Sequence, residues 1–307
     1  MVVLMSDYIK KLTVLMMFYI SPILIAQEPA EMSEQPSATP EVVISQDKKR
    51  DLALEKQIIQ GQAKWLTDGK DDFLAIYNAN ETASAIGGLL IVTAPSETVL
   101  TSGVIKTSRD YFPSVDWHVL AIHPVDLDFS VPMYRTDLTA TDTKEAGAGT
   151  ENNAEKTIPD TDTWYKQQAE NNRAQLLKRL LPAEKELLTK AERYVLVARS
   201  VSAELALDAV IKQNIKPMGI ILLNIDHPVA GQEKAIAEQL AKIDLPILDI
   251  YDTKSRAKAE KRKRIIRKPY YSQKQIPAMD GSFRGAETLV TKSMRAWLQK
   301  NFKMALN

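Results

Sequence analysis

The sequence predicts an α/β fold: a doubly wound, mostly parallel sheet with helices on both faces. Three observations predict it. Five apolar runs, Gly87–Thr93, Trp117–His123, Tyr194–Arg199, Gly219–Ile225 and Leu245–Tyr251, are six or seven residues long and rich in Val, Ile and Leu. Near-continuous apolarity over that length suits strands buried on both faces. Helix-patterned stretches alternate with these runs, as strand–helix–strand units require. The composition, 45% hydrophobic and 26% charged over 307 residues, is that of a globular chain, which excludes wholesale disorder and a collagen-like fibre.

The elements follow in order. Residues 1–26 read as a secretory signal: Lys10 and Lys11 flank the apolar run Leu12–Ile25, and Ala26 precedes the polar Gln27-Glu28-Pro29. That run has 14 residues, whereas a spanning helix needs about 20. The mature chain is therefore expected to be exported and periplasmic, with retention as an inner-membrane anchor the alternative. Residues 27–47, rich in Pro, Glu, Ser and Gln, are expected to be a disordered lead-in. A helical pattern covers 48–66, where Leu52, Leu54, Ile58, Ile59 and Leu66 return at three- and four-residue steps. Further helices are expected at Val104–Tyr111, Trp164–Arg193, Ser202–Gln213, Val229–Ile243, Lys254–Lys268 and Phe283–Phe302. Between about Asp137 and Thr163 lie seven acidic residues, two lysines and no aromatic, which reads as a disordered acidic insert. One domain over 48–303 carrying that insert is preferred to two domains.

Charge and cysteine usage narrow the function. Lys plus Arg number 40 against 39 Asp plus Glu, so the whole molecule is not marked as a nucleic-acid binder. No cysteine is present, which excludes disulfides, thiolate catalysis and zinc sites built on thiolates. The 11 glycines form neither a G-x-G-x-x-G nor a Walker-type loop. His118 and His123 stand five apart, on opposite faces of their strand, so they do not converge on a metal. No metal or cofactor is expected.

In open α/β sheets ligands bind beyond the carboxyl ends of the strands. The turn after Tyr194–Arg199 is the most suggestive of those places: Ala198-Arg199-Ser200-Val201-Ser202 sets a serine between small residues where a helix begins. An exposed serine on a sharp strand-to-helix turn is the nucleophile-elbow arrangement, although the usual G-x-S-x-G glycines are absent. Ser200 is the nucleophile by position. The competing reading has Ser200 or Ser202 capping the helix through its first amides. The acid is expected at Asp249 or Asp252, at the end of the last apolar run, and the only later-placed base is His227, beside Pro228. No histidine follows His227, so the position after the final strand, near Ala278-Met279-Asp280, offers none. The early loop Thr93-Ala94-Pro95-Ser96 contains no glycine, and Pro95 lacks an N–H to donate to an oxyanion.

Lys254–Lys268 holds nine basic residues and one acid, a local +8 in a chain whose total is +1. A solvated charged helix is the plain reading, and peripheral contact with an anionic membrane surface is the functional one.

Five segments then carry a resemblance: Phe73–Tyr77, Gly87–Val92, Asp116–Ile122, Leu245–Tyr251 and Met294-Arg295-Ala296-Trp297-Leu298. They resemble an uncharacterised family of exported proteobacterial proteins, a domain of unknown function within the α/β-hydrolase superfamily, over about residues 50–303. The resemblance implies that fold and a Gram-negative envelope setting. Members often show a His-Gly pair where this chain has Thr93-Ala94, and tend to be glycine-rich at the elbow. Both departures fit a member that keeps the fold without the standard triad. The expectation is an exported α/β-hydrolase-like protein that lacks a complete Ser-His-Asp relay and acts as a binding or scaffold protein, its partner a small molecule or an envelope component. The alternative is a divergent, esterase-like serine hydrolase with Ser200 as nucleophile.

Overall fold

A computed structural model describes residues 46–59, 61–95, 97–100, 103–124, 161–227 and 232–302. The expected signal segment, most of the lead-in and most of the acidic insert lie outside them. All described residues belong to one compact unit, Ile44–Asn307. The elements are α1 (Gln46–Glu55), β1 (Ala63–Thr67), β2 (Asp72–Asn78), β3 (Gly87–Val92), α2 (Gly103–Tyr111), a short 3-10 turn (Phe112–Val115) and β4 (Trp117–Ile122). There follow α3 (Thr161–Leu188), β5 (Tyr194–Arg199), α4 (Ser200–Ile211), β6 (Gly219–Leu223), α5 (Glu233–Ala241), β7 (Ile247–Tyr251), α6 (Arg256–Ile265), β8 (Tyr271–Gln275) and α7 (Glu287–Phe302).

The eight strands form one sheet in the order β1-β2-β4-β3-β5-β6-β7-β8. The β1/β2 and β2/β4 pairs are antiparallel, and every pair from β4 onward is parallel. Alternation along the strands sends Leu90, Val92, Leu196 and Leu222 to one face and Leu89, Ile91, Val197 and Ile221 to the other. Leu176, Leu180 and Leu187 of α3, with Ala206 and Leu240 of α4 and α5, bury the first face; Val104 and Ile105 of α2 and Val290, Met294 and Leu298 of α7 bury the second. Gly88 sets the spacing on the first face, since a Cβ there would stand 2.8 Å from Leu187.

The five apolar runs are β3, β4, β5, β6 and β7, as expected. The helical pattern over 48–66 is corrected: α1 stops at Glu55, and Ala63–Thr67 is an edge strand. Gly61, at a φ of +91°, turns the chain. The indole N–H of Trp65 then donates to Glu55 Oε1 at 2.7 Å, which closes the strand back on the helix. The expected helix over 229–243 starts at Glu233, with 228–231 outside the described residues.

Because β3 lies between β4 and β5, the winding reverses there. A crevice is expected at the carboxyl ends of β3 and β5.

Candidate active site

A cavity of about 230 Å³ opens at that crevice. Its lining includes Ala94 and Glu97 after β3, Arg199 and Ser200 at the end of β5, Asn224 after β6 and Gly281 after β8.

Ser200 sits where the elbow reading puts it. Arg199 is still extended, at φ −123° and ψ 143°, and Ser200 has a φ of +54°. An L-residue pays roughly 1–2 kcal/mol for that conformation, so the turn is strained. The flanking Ala198 and Ser202 are fully buried, which explains why both must be small. The Ser200 carbonyl accepts the Asp226 N–H at 3.3 Å, tying the elbow to the loop after β6. The capping alternative is not met: among the described residues the hydroxyl of neither serine bonds a helix amide, and the buried Ser202 Oγ has no hydrogen-bond partner.

The described residues of the early loop bond within the loop. Ala94 N–H donates to Glu97 Oε2 at 3.3 Å, Pro95 has no N–H, and Glu97 N–H donates to Ala94 O at 3.0 Å. The other Glu97 carboxylate oxygen pairs with Arg199 Nη1. Arg199 Nη2 donates to Gly281 O at 2.8 Å. Burial presses the Arg199 guanidinium below its ordinary pKa, and Glu97 and Asp280 oppose that. A carboxylate of the chain itself thus occupies the loop donor that an acyl-transfer site would aim at its oxyanion. Neither Glu97 nor the pairing role of Arg199 figured among the sequence-predicted site residues. The spacing could have shown it: an acid three residues after the start of a turn reaches back to that residue's N–H, as in a capping box.

The other candidates separate. Asp249 is fully buried and points away from the cavity into the β7–α6–β8 layer. Arg262 closes on both its oxygens (3.0 and 2.8 Å), Tyr271 Oη donates to Oδ2 at 2.6 Å, and Gln273 Nε2 donates to Oδ2 at 3.1 Å. Burial and Asp249 together push the Tyr271 hydroxyl up, so it stays protonated and donates. Asp252 ends nearer the cavity: it is buried, its N–H donates to Asn224 Oδ1 at 3.3 Å and its Oδ1 accepts Ser255 N–H at 2.8 Å. His227 is half-buried, its N–H donating to Asp226 Oδ1 at 3.0 Å. Asp226 lines the cavity, and among the described lining residues there is no histidine.

The remaining histidines are elsewhere. His123 is buried at the end of β4 with Nε2 3.3 Å from Asp51 Oδ1, and burial with Arg179 and Arg50 nearby lowers its pKa to about 2. His118 is half-buried with Nδ1 2.8 Å from Tyr77 Oη, and burial lowers its pKa as well.

The strand order, the switch from antiparallel to parallel pairing and the strained serine over the crevice together define an α/β-hydrolase fold. Solved structures share it. Dienelactone hydrolase from Anabaena variabilis ATCC 29413 superposes with a TM-score of 0.52 at 13% identity, covering 78% of this chain and 96% of that one. Est1E from Butyrivibrio proteoclasticus gives 0.55 at 8% identity, covering 78% and 98%. An alpha-beta serine hydrolase homologue from Coxiella burnetii gives 0.52 at 10% identity, covering 80% and 99%. Identities this low carry the fold alone. The chain itself belongs to the family described as "Protein of unknown function (DUF3530)", whose model matches residues 10–300. No curated protein matches it in sequence.

Proposed function

We propose that this chain is an exported, non-catalytic member of the α/β-hydrolase fold whose crevice binds a small polar ligand. The observation that carries the reading is the Glu97 carboxylate, which spans Ala94 N–H and Arg199 where an acyl-transfer site would keep a donor open. With Ala94 N–H taken, charge developing on a reacting carbonyl gains nothing from that donor. The lining offers Arg199, Ser200 and Asn224, groups that orient a polar molecule by hydrogen bonds. The test is turnover of short acyl esters by the purified chain. The reading expects the same background rate from the wild type and from Ser200→Ala; a rate that disappears with Ser200→Ala overturns it.

A second reading, a divergent serine hydrolase, is favoured by one observation: the Ser200 backbone keeps its costly φ of +54°. Strain of this kind gathers at working sites. In that reading Asp252 suits the acid better than Asp249, whose oxygens Arg262 already holds. His227 would have to turn toward Ser200 from the Asp226 loop. Ester turnover lost in both Ser200→Ala and His227→Gln supports it, and turnover insensitive to His227→Gln rejects it.

Export rests on residues 1–26. The reading expects amino-terminal sequencing of the mature chain to begin just after Ala26, in a periplasmic fraction. Full-length chain held in the inner membrane supports the anchor instead. Among the described residues no helix is long and apolar enough to cross a membrane.

A further inference from the structure

The crevice occupies the carboxyl end of the strands, and the opposite end has a character of its own. Since β7 and β8 run parallel, α6 must return the chain from one end of the sheet to the other. Ser255, before α6, lines the crevice; the last turn of α6 lies about 15 Å away by helix rise. The nine basic residues of Lys254–Lys268 divide accordingly. Arg262 is buried on Asp249, Arg256 pairs with Glu260, Lys258 with Asp226, and Lys268 with Asp244. Lys254, beside Ser255 at the crevice end, and Lys261, Lys263, Arg264 and Arg267, toward the other end, are exposed, and none forms an ion pair among the described residues. Lys216 before β6 and Lys242 before β7 are exposed at the same end.

One apolar side chain and one cavity of mixed lining lie among these cations. Ile265 is 42% exposed beside Arg264. A cavity of about 300 Å³ is lined by Val210, Ile211, Ile215 and Leu245 together with Lys216 and Lys242. Lys268, three residues after Ile265, reaches that cavity: its Nζ donates to Ile243 O at 3.1 Å and to Asp244 Oδ1 at 2.6 Å, both in the lining.

We propose that this end of the molecule docks on an anionic lipid surface. Unpaired cations supply attraction to acidic headgroups, and lysine and arginine stems can lie along apolar surface while their charges reach the phosphates. An exposed isoleucine and the apolar part of that pocket are redundant for a polyphosphate such as nucleic acid, which cations alone hold. They are useful against a bilayer, which has an acyl boundary beneath its charge. Docked this way, the chain turns its crevice toward solvent.

The test is co-sedimentation of the full chain with phosphatidylcholine vesicles, with or without phosphatidylglycerol. Binding to the neutral vesicles reports Leu12–Ile25 and serves as the baseline. Above it, the proposal expects phosphatidylglycerol-dependent binding that weakens with salt. It also expects a loss of about fivefold for each cation removed, tested with Lys261→Gln, Lys263→Gln, Arg264→Gln and Arg267→Gln. Ile265→Ser should weaken binding severalfold while leaving the salt dependence unchanged. If the combined variant fails to fold, Lys216→Gln with Lys242→Gln provides the same comparison on the neighbouring loops. Equal binding to both vesicle types, or full retention by the neutralised variants, overturns the proposal. So does binding to heparin as tight as to vesicles and indifferent to Ile265→Ser, which assigns the face to a soluble polyanion. None of these outcomes depends on ester turnover or on the crevice.

Discussion

Arg262 lies between β7 and α6 with its guanidinium closed on both oxygens of Asp249, and Tyr271 and Gln273 complete that carboxylate's shell. Arg199, about as buried, lies at the end of β5 against one Glu97 oxygen and a backbone carbonyl, beside a cavity. Burial alone would lower the pKa of both. At Arg262 the opposing pull of Asp249 and Tyr271 wins and the net direction is upward; at Arg199 burial wins over Glu97 and Asp280. The first arginine is matched inside the protein through Nε and Nη2, and only its buried Nη1 is left without a hydrogen-bond partner. The second is matched by a side chain on a short surface loop, at the place where the fold receives ligands. A buried ion pair therefore marks architecture in one case and a site in the other, and the difference is what stands on its open side.

The sharpest way to break this comparison is to unmatch Arg262. Asp249→Ala leaves a buried guanidinium without its partner and should cost about 3–5 kcal/mol in denaturant unfolding. A loss below about 1 kcal/mol would mean that the pair is not structural.

A pH series tests the structural role of His123, buried against Asp51 at the end of β4. His123 has a folded pKa lowered to about 2, against about 6.5 when unfolded. Below about 6.5 the unfolded chain binds a proton that the folded chain refuses, so the contribution is complete above that pH and is lost as pH falls. Between about pH 7 and 5 the slope should approach about 1.4 kcal/mol per pH unit. Asp51, raised by its burial, acts with the opposite sign from its unfolded value of about 3.9 upward. His123→Gln should flatten the slope; a slope that survives this change would mean that His123 does not carry it.

Glu97→Ala should cost less than Asp249→Ala, about 1.5–3 kcal/mol for a charged hydrogen bond lost near solvent. It should also expose Ala94 N–H and Arg199 together. Acetate is then expected to raise the melting temperature of this variant and not of the wild type, and an equal response from both would show that Glu97 fills no anion position. The smallest effect belongs to the elbow. Ser200→Gly relieves a φ of +54°, so stability should rise by up to about 1 kcal/mol after the entropy of glycine is counted. A clear loss would mean that the hydroxyl holds the turn.

The central sheet was legible because β3 to β7 are buried on both faces and read as unbroken apolar runs. The edges were not. β8, Tyr271-Ser272-Gln273-Lys274-Gln275, is polar because it is half-buried and sends Gln273 into the Asp249 shell. β1 carries Trp65 and Leu66 at a spacing that also fits a helix face, and only the turn at Gly61 separates the two. At the site, the elbow was legible from Ala198 and Ser202, the small residues its tight turn demands. The Asp249 assignment rested on its place near the end of β7; its parity, which turns it toward Arg262, could not be known before the partner helix was placed. Glu97 was overlooked because its function there is a reach-back to a backbone N–H, a local bond with no residue-type signature of catalysis.

The central claim is that Ser200 keeps the posture of a nucleophile without the means to become one. Fluorophosphonate probes form a stable phosphonyl bond to serine only where a base removes the hydroxyl proton. Incubation of the purified chain with such a probe, followed by intact-mass spectrometry, is expected to leave the mass unchanged at neutral pH. A single adduct that maps to Ser200 and is absent from Ser200→Ala would contradict the account.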